Sequence, residues 1–238
     1  GFVWAVGICP IIDMVSPKAA PIRNQTSTKP WDALLFMHTI AYLSCIGVLL
    51  WQADSEGFGL PVVLGGLSVG VVGGISGIIN AHEAGHRKKG SLIWRMSRLN
   101  LLMVLYLHFT TEHNHGHHRN YATSRDPASS PEGRSFYTQL VMTLPLQYIS
   151  AWKTHKEKGL GFVQNPIFHG TMIQLFLIGI LWYYSPAVMY AFLIQAILAI
   201  ILLEYVNYIE HYGLVREGGE KHSQMHSWEY RGVWSRWT

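Results

Sequence analysis

Residues 91–111 read SLIWRMSRLNLLMVLYLHFTT, and whether this run crosses a membrane decides how the chain is laid out. It is apolar enough to suggest a crossing. On one side of it lies HEAGH, residues 82–86, and on the other EHNHGHHR, residues 112–119. A crossing would place these two histidine groups on opposite faces of a bilayer, where no common site forms. Arg95 and Arg98 interrupt the run, and its polar positions fall on one side. That pattern predicts a helix lying in the interface or packed under a site, with both histidine groups on one face.

The rest of the chain supports a membrane setting. Of 238 residues, 49% are hydrophobic and 13% charged, about half the charged share of an ordinary soluble domain. Four stretches approach the roughly 20 apolar residues needed to span a bilayer: 33–51, 58–80, 167–184 and 187–206. They form two hairpins, joined internally by QADSEG (52–57) and by SP (185–186). All 18 Lys and Arg residues fall in 13–32, 81–165 or after 207, so those regions are expected on the cytoplasmic side. The fold class expected is an all-α integral membrane protein of helical hairpins with a histidine cluster at its cytoplasmic face. Residues 136–152, FYTQLVMTLPLQYISAW, are read as a second interfacial segment, interrupted by Pro145. The opening residues 1–12 resemble the tail of an earlier span and carry no basic leader pattern, so the sequence is expected to begin inside a span. Cys9 and Cys45 both lie in apolar runs and suit small buried hydrophobes better than a disulfide or thiolate site. Nucleic-acid binding is not expected, because the excess positive charge hugs membrane segments without an aromatic-lined groove.

His82 and His86 stand four apart, which on a helix brings both rings to one point, as in H-E-x-x-H zinc proteases where Glu83 would be the general base. His113 and His117 repeat the spacing, and His118, about 100° further round a helix, is placed to turn toward a second metal. One tetrahedral zinc takes three protein ligands and keeps one position open, so five histidines are too many for it. His211, in NYIEHYGL (207–214), is placed to reach the same region. Imidazole accepts iron, copper, zinc and nickel alike, so ligand type leaves the metal open. Two irons with a position open for dioxygen would need about eight or nine such nitrogens. Glu83, Glu112 and Glu210 each adjoin a proposed ligand and are candidates to accept its second N–H.

The motifs NAHEAGHRK, EHNHGHHRNYATSRDPASS and NYIEHYGL, in this order, strongly resemble those of the membrane-bound alkane 1-monooxygenases of the AlkB type, within the fatty-acid desaturase-like superfamily. The likeness covers nearly the whole chain, and the HYG element is its most discriminating part. It implies a bacterial inner-membrane, multi-pass, non-haem di-iron enzyme that receives electrons from rubredoxin and its reductase. Such an enzyme uses O2 to hydroxylate the terminal carbon of an alkane. Matched motif to motif, the ligands are His82, His86, His113, His117, His118 and His211; His115 falls on a variable position. The third histidine box of that family is absent, which reads as a single domain, 1–238, truncated at both ends. Related readings are an aryl-methyl (xylene-type) monooxygenase, an acyl desaturase or a membrane zinc protease.

Several residues carry two readings. Gly65, Gly66, Gly70, Gly73, Gly74 and Gly77 either border a substrate channel or let helices pack closely. Arg87, Lys88, Lys89, Arg119, Arg125 and Arg134 either dock an acidic electron donor or only orient the spans. His38 and His169 lie in or near spans, His108 is placed to line the site, and His155 reads as a solvated loop residue. His222 and His226 have helical-pair spacing, but the resemblance gives them no ligand role.

Overall fold

The computed structural model describes residues 29–217, 220, 221 and 223–228, with residues 8, 11, 12 and 15 near the start. Cys9, His222 and most of the expected helix tail at 1–12 lie outside the described residues. Among the described residues there is no strand, and four helices are long and apolar enough to cross a bilayer. They form two hairpins. The first is α1 (Lys29–Glu56) and α2 (Leu60–Gly85), the second α6 (Pro166–Tyr184) and α7 (Pro186–His211).

Both hairpin turns are tighter than the sequence suggests. Most of QADSEG is helix, not link: Ala53 is fully buried and Gln52 donates to Glu56 at 3.2 Å, so α1 continues to Glu56. The reversal is left to 57–59, where Gly57 adopts a φ of +73° that a side chain would resist. Ser185 alone separates α6 from α7, whose first residue is Pro186, a position where the missing N–H costs nothing. At these tips Phe58 packs on Tyr190 with ring centroids 5.5 Å apart, and the Tyr184 hydroxyl meets Asp54 at 3.1 Å.

The glycines of α2 are packing residues. A Cβ on Gly66, Gly70 or Gly74 would lie within 2.8–2.9 Å of Ile194, Leu198 or Leu202 on α7. A Cβ on Gly73 or Gly77 would strike Tyr42 of α1 at 2.8 Å. At these five positions the space a channel would need is taken up by side chains of α1 and α7. Without side chains in the way, helix backbones approach closely, and dispersion contacts replace the hydrophobic drive that lipid cannot supply. Tyr42, only 1% exposed, donates to Gln195 Oε1 at 2.8 Å, and Gln195 Nε2 donates to the Met103 carbonyl at 2.7 Å. A buried polar pair is thereby satisfied across three elements.

The run that opened the sequence reading is a helix, α3 (Leu92–Met103), of only 12 residues. At 1.5 Å per residue it extends about 18 Å, too short to cross. Ser91 caps it by accepting from the Trp94 N–H at 3.2 Å. Its polar face turns inward: Ser97 donates to the Ala81 carbonyl at 2.6 Å and Asn100 donates to Thr39 Oγ1 at 3.0 Å. Positive φ at Leu105 (56°) then reverses the chain into α4, residues 109–120, which carries the second histidine group.

Helix α5 (Phe136–Lys156) has its polarity inverted. Gln139, Thr143 and Gln147, one per turn, are 1–2% exposed, while Val141, Leu146 and Ile149 face outward. A soluble helix would reverse this; a helix bathed in lipid shows it. Pro145 does not interrupt the helix, which is continuous through it with the proline exposed. Cys45, a free thiol, is half-buried in α1.

Replacing Gly70 by Ala is expected to destabilise the protein by about 1–3 kcal/mol, because the new methyl meets backbone as well as side chain. Gly47→Ala, where nothing lies within 4 Å of the new atom, should be neutral or slightly stabilising. Thermal unfolding of both variants in detergent checks the difference.

Candidate metal centre

Two widened helical turns shape the centre. In α2 the segment Gly73–Ile78 is π-helical, after which α geometry resumes over Ile79–Gly85 and stacks His82 and His86 one turn apart. Their Nε2 atoms stand 3.2 Å from each other. In α4 the second group is itself a π turn, His113–His117. Such a turn aligns residues five apart, not four. His118 therefore shares a side with His113, at 4.3 Å between ring centroids against 5.2 Å for His113 and His117. This differs from the α-helical expectation, in which His117 pairs with His113 and His118 turns away.

Two groupings result. One nitrogen from each of His82, His86, His113 and His118 lies within 4.8 Å of the others. His117 instead faces His211, at the end of α7, with ring centroids 4.9 Å apart. His86 and His118 are exposed, whereas His117 and His211 are 7% and 4% exposed. Phe109, 4% exposed, stacks on His113 at 4.9 Å and forms an apolar floor with Ile78, Ala81 and Leu101.

The four-imidazole group fits a cation. His113 Nε2 is buried with no hydrogen-bond partner, and burial followed by the neighbouring imidazoles holds that ring well below the usual histidine range, hence neutral. Neutral imidazole is the form that ligates. A single proton relieves one nitrogen pair; a metal ion at the centre relieves all four. The donors are all imidazole nitrogen, a set that suits iron, zinc, copper or nickel.

The groups that orient the rings are not those adjacent in sequence. Glu83 pairs with Arg87 at 3.4 Å, and Arg87 with Asp32 at 3.0 Å. Glu112 is buried, Oε1 has no partner, and burial followed by the charge of Asp126 pushes its carboxyl up to about 8. A Cβ on Gly116 would meet that oxygen, so a larger residue there must push the Glu112 carboxylate aside. Glu210 is half-exposed, 4.0 Å from His211 Nε2. The decisive partner is Asp126, whose Oδ2 lies 3.0 Å from His117 Nδ1. Burial opposes charge on both, but their hydrogen bond and mutual attraction outweigh it, raising the imidazole and lowering the carboxyl. Ser129 Oγ and the Ala128 N–H also donate to Asp126, at 2.6 and 3.2 Å. His211 Nδ1 donates to the His226 carbonyl at 3.2 Å, which leaves its other nitrogen toward His117. Arg216 ties the following strap to α4 by donating to the carbonyls of Tyr121 and Arg119 at 3.1 and 2.8 Å.

The remaining histidines stand apart. His38 and His115 are exposed, and His169 bonds the Val163 carbonyl at 2.7 Å. His155 ends α5 and meets Thr111 at 3.3 Å, so it is not a loop residue. His108 is buried between Tyr106 and Tyr148.

With four spanning-type helices and histidines gathered at their ends, comparison with known proteins decides the family. The family model for fatty acid desaturases matches residues 58–238. The chain belongs to the fatty acid desaturase family. Within that family it is similar to alkane 1-monooxygenase 1 of Pseudomonas aeruginosa, 32% identical over 96% of this chain and 65% of that protein. Alkane 1-monooxygenase 1 of Alcanivorax borkumensis is 29% identical over 96% of this chain and 61% of its own length. Alkane 1-monooxygenase of Pseudomonas putida is 28% identical over the same shares, 96% and 61%. The chain thus spans about three fifths to two thirds of the relatives it matches. As a desaturase-family membrane protein, it presents its histidines in the two groupings described.

Asp126, the His226 carbonyl and Arg216 escape a sequence reading because each acts from an irregular segment or single short turn with no helical spacing to its partner. The one available signal is the DPASS run, an Asp-Pro turn followed by two serines. Asp126→Asn keeps the shape but removes the charge opposite His117, and metal affinity is expected to fall about 10–100-fold. Glu83→Gln should leave it unchanged. Competition with a chelator measures both.

Proposed function

We propose that this chain is the membrane-embedded histidine domain of a non-haem di-iron monooxygenase that hydroxylates the terminal carbon of linear alkanes. The observation that carries the reading is the convergence of six imidazoles, four with nitrogens within 4.8 Å, at the common end of two apolar hairpins. His82, His86, His113 and His118 would hold one ion, and His117 with His211 would contribute to a second. When bound, iron supplies the dioxygen chemistry needed to attack an unactivated methyl group, for which no side chain is strong enough. The relatives' names give the substrate class, and the basic end, where the expected positive-inside orientation puts the cytoplasm, suits an acidic electron donor such as rubredoxin.

The chain's own residues prepare that chemistry. Asp126 and the His226 carbonyl fix the tautomers of His117 and His211, so that each presents Nε2. Phe109, Ile78 and Leu101 close the membrane side of the centre against water, the side from which a hydrocarbon dissolved in lipid arrives. His86 and His118 are the exposed members of the group, and Lys88 and Lys89, just after His86 in the chain, are exposed as well. A zinc protease fits less well: Glu83, its required base, is held on Arg87 away from the rings, and three imidazoles would be superfluous.

The full-length protein, purified in detergent, is expected to contain two irons per chain and to convert octane or decane to the 1-alcohol with O2, reductase and rubredoxin. Omitting rubredoxin should abolish turnover, and His118→Ala should reduce it below detection while the protein stays folded. A single zinc with no oxidation of alkane would overturn the reading; product on xylene or acyl chains instead of alkane would move the activity to a sister class.

A further inference from the structure

A second polar site lies apart from the histidine cluster. Between α3, the turn before α4, α5 and α6 is a cavity of about 10 Å³, lined by Arg98, His108, Tyr148, Gly170, Thr171 and Gln174. That volume holds about one water-sized occupant. We infer that it is a binding site for a single small monovalent anion, of the size of chloride.

The argument rests on which hydrogen-bonding groups are already used. Gln174 Oε1 accepts from the Leu107 N–H at 2.7 Å, so only its –NH2 remains free. Thr171 donates its hydroxyl proton to the Ile167 carbonyl at 2.9 Å, and the Tyr148 hydroxyl, 2.8 Å from Thr171, therefore spends its own on Thr171. His108, 9% exposed, has a buried Nε2 without any partner. Arg98 reaches in from α3. It donates to the Leu107 carbonyl, stands 3.5 Å from Thr110 Oγ1 and lies over the Trp94 ring at 5.9 Å. Among the described residues no carboxylate pairs with it.

What lines the cavity is thus a guanidinium, an amide –NH2 and an imidazole nitrogen that becomes a donor in one tautomer, beside two hydroxyl oxygens whose protons are spent within the Tyr148–Thr171–Ile167 chain. A guanidinium sheltered from water without a counter-charge is costly, and the more so beside lipid. A water molecule would supply hydrogen bonds but no charge. Phosphate, acetate and lipid headgroups exceed the space. A monatomic anion meets the size, the donor set and the missing charge together. Arg98 also holds the Leu107 carbonyl and approaches Thr110, on the turn that leads into the second histidine group. Filling the site therefore braces that turn from outside the metal centre.

The test uses the iron-loaded full-length protein in detergent, exchanged from chloride into gluconate at constant ionic strength. Titrating chloride back is expected to raise the melting temperature saturably by about 2–4 °C and to broaden the chloride-35 NMR line in step. Arg98→Gln should lose both responses. Should that variant fold poorly, Gln174→Glu decides: its carboxylate keeps the acceptor for Leu107 and supplies the negative charge internally. It should melt higher than the parent in gluconate and no longer respond to chloride. Lys221→Gln, altering an exposed cation elsewhere, should retain the full response. Absence of saturable broadening in the parent, or a response unchanged in Gln174→Glu, would overturn the inference and leave the cavity to water.

Discussion

The distance between α2 and α7 governs everything built at their ends. Gly66, Gly70 and Gly74 let the two backbones come so close that a single methyl on any of them would collide with α7. Only at that separation do His82 and His86, ending one helix, share a neighbourhood with His211, ending the other. Lipid cannot drive helices together by the hydrophobic effect, so shape is what holds this contact. The small residues that fix the site's geometry therefore lie deep in the spans, well away from any chemistry.

A second constraint concerns polar groups inside apolar surroundings. Glu204 of α7 is 2% exposed, and it accepts from Tyr106 at 3.0 Å, from Gln147 at 2.9 Å and from Asn207 at 3.3 Å. Each of those donors belongs to a different part of the chain. Leaving any of them unpaired in a low-dielectric interior costs on the order of 1–3 kcal/mol. The network therefore fixes how α5 docks on the hairpins, and it explains why α5 turns Gln147 inward.

The histidine centre depends equally on loops. Asp126 reaches His117, the His226 carbonyl reaches His211, and Arg216 fastens the segment after α7 onto the carbonyls of α4. Gly213, at a φ of +69°, turns the chain so that its N–H donates to the Ser130 carbonyl at 2.9 Å. That turn gives the glycine of the HYG element a physical role. These contacts orient the rings of His117 and His211 from outside the helices that carry them.

Much of this was legible in the residues themselves. Long apolar runs set the four spanning-type helices, because length and hydropathy are properties of the chain alone, and Arg95 and Arg98, with the one-sided polar positions, argued against a fifth crossing. The histidines announced a centre through their spacing. The pairing inside it was not legible. Four-residue spacing assumes α geometry, whereas a π turn at 113–117 moved His118 to the first grouping and gave His117 to His211. Sequence neighbours were likewise poor guides to ring partners: Glu83 is drawn off by Arg87, while Asp126 arrives from a loop. The same holds for the glycines, whose two readings were separated only by what stands opposite them. Local pattern reports what a segment is and which face it prefers. Tertiary packing alone decides which atoms meet, because a contact depends on the depth, rotation and turn geometry of both partners.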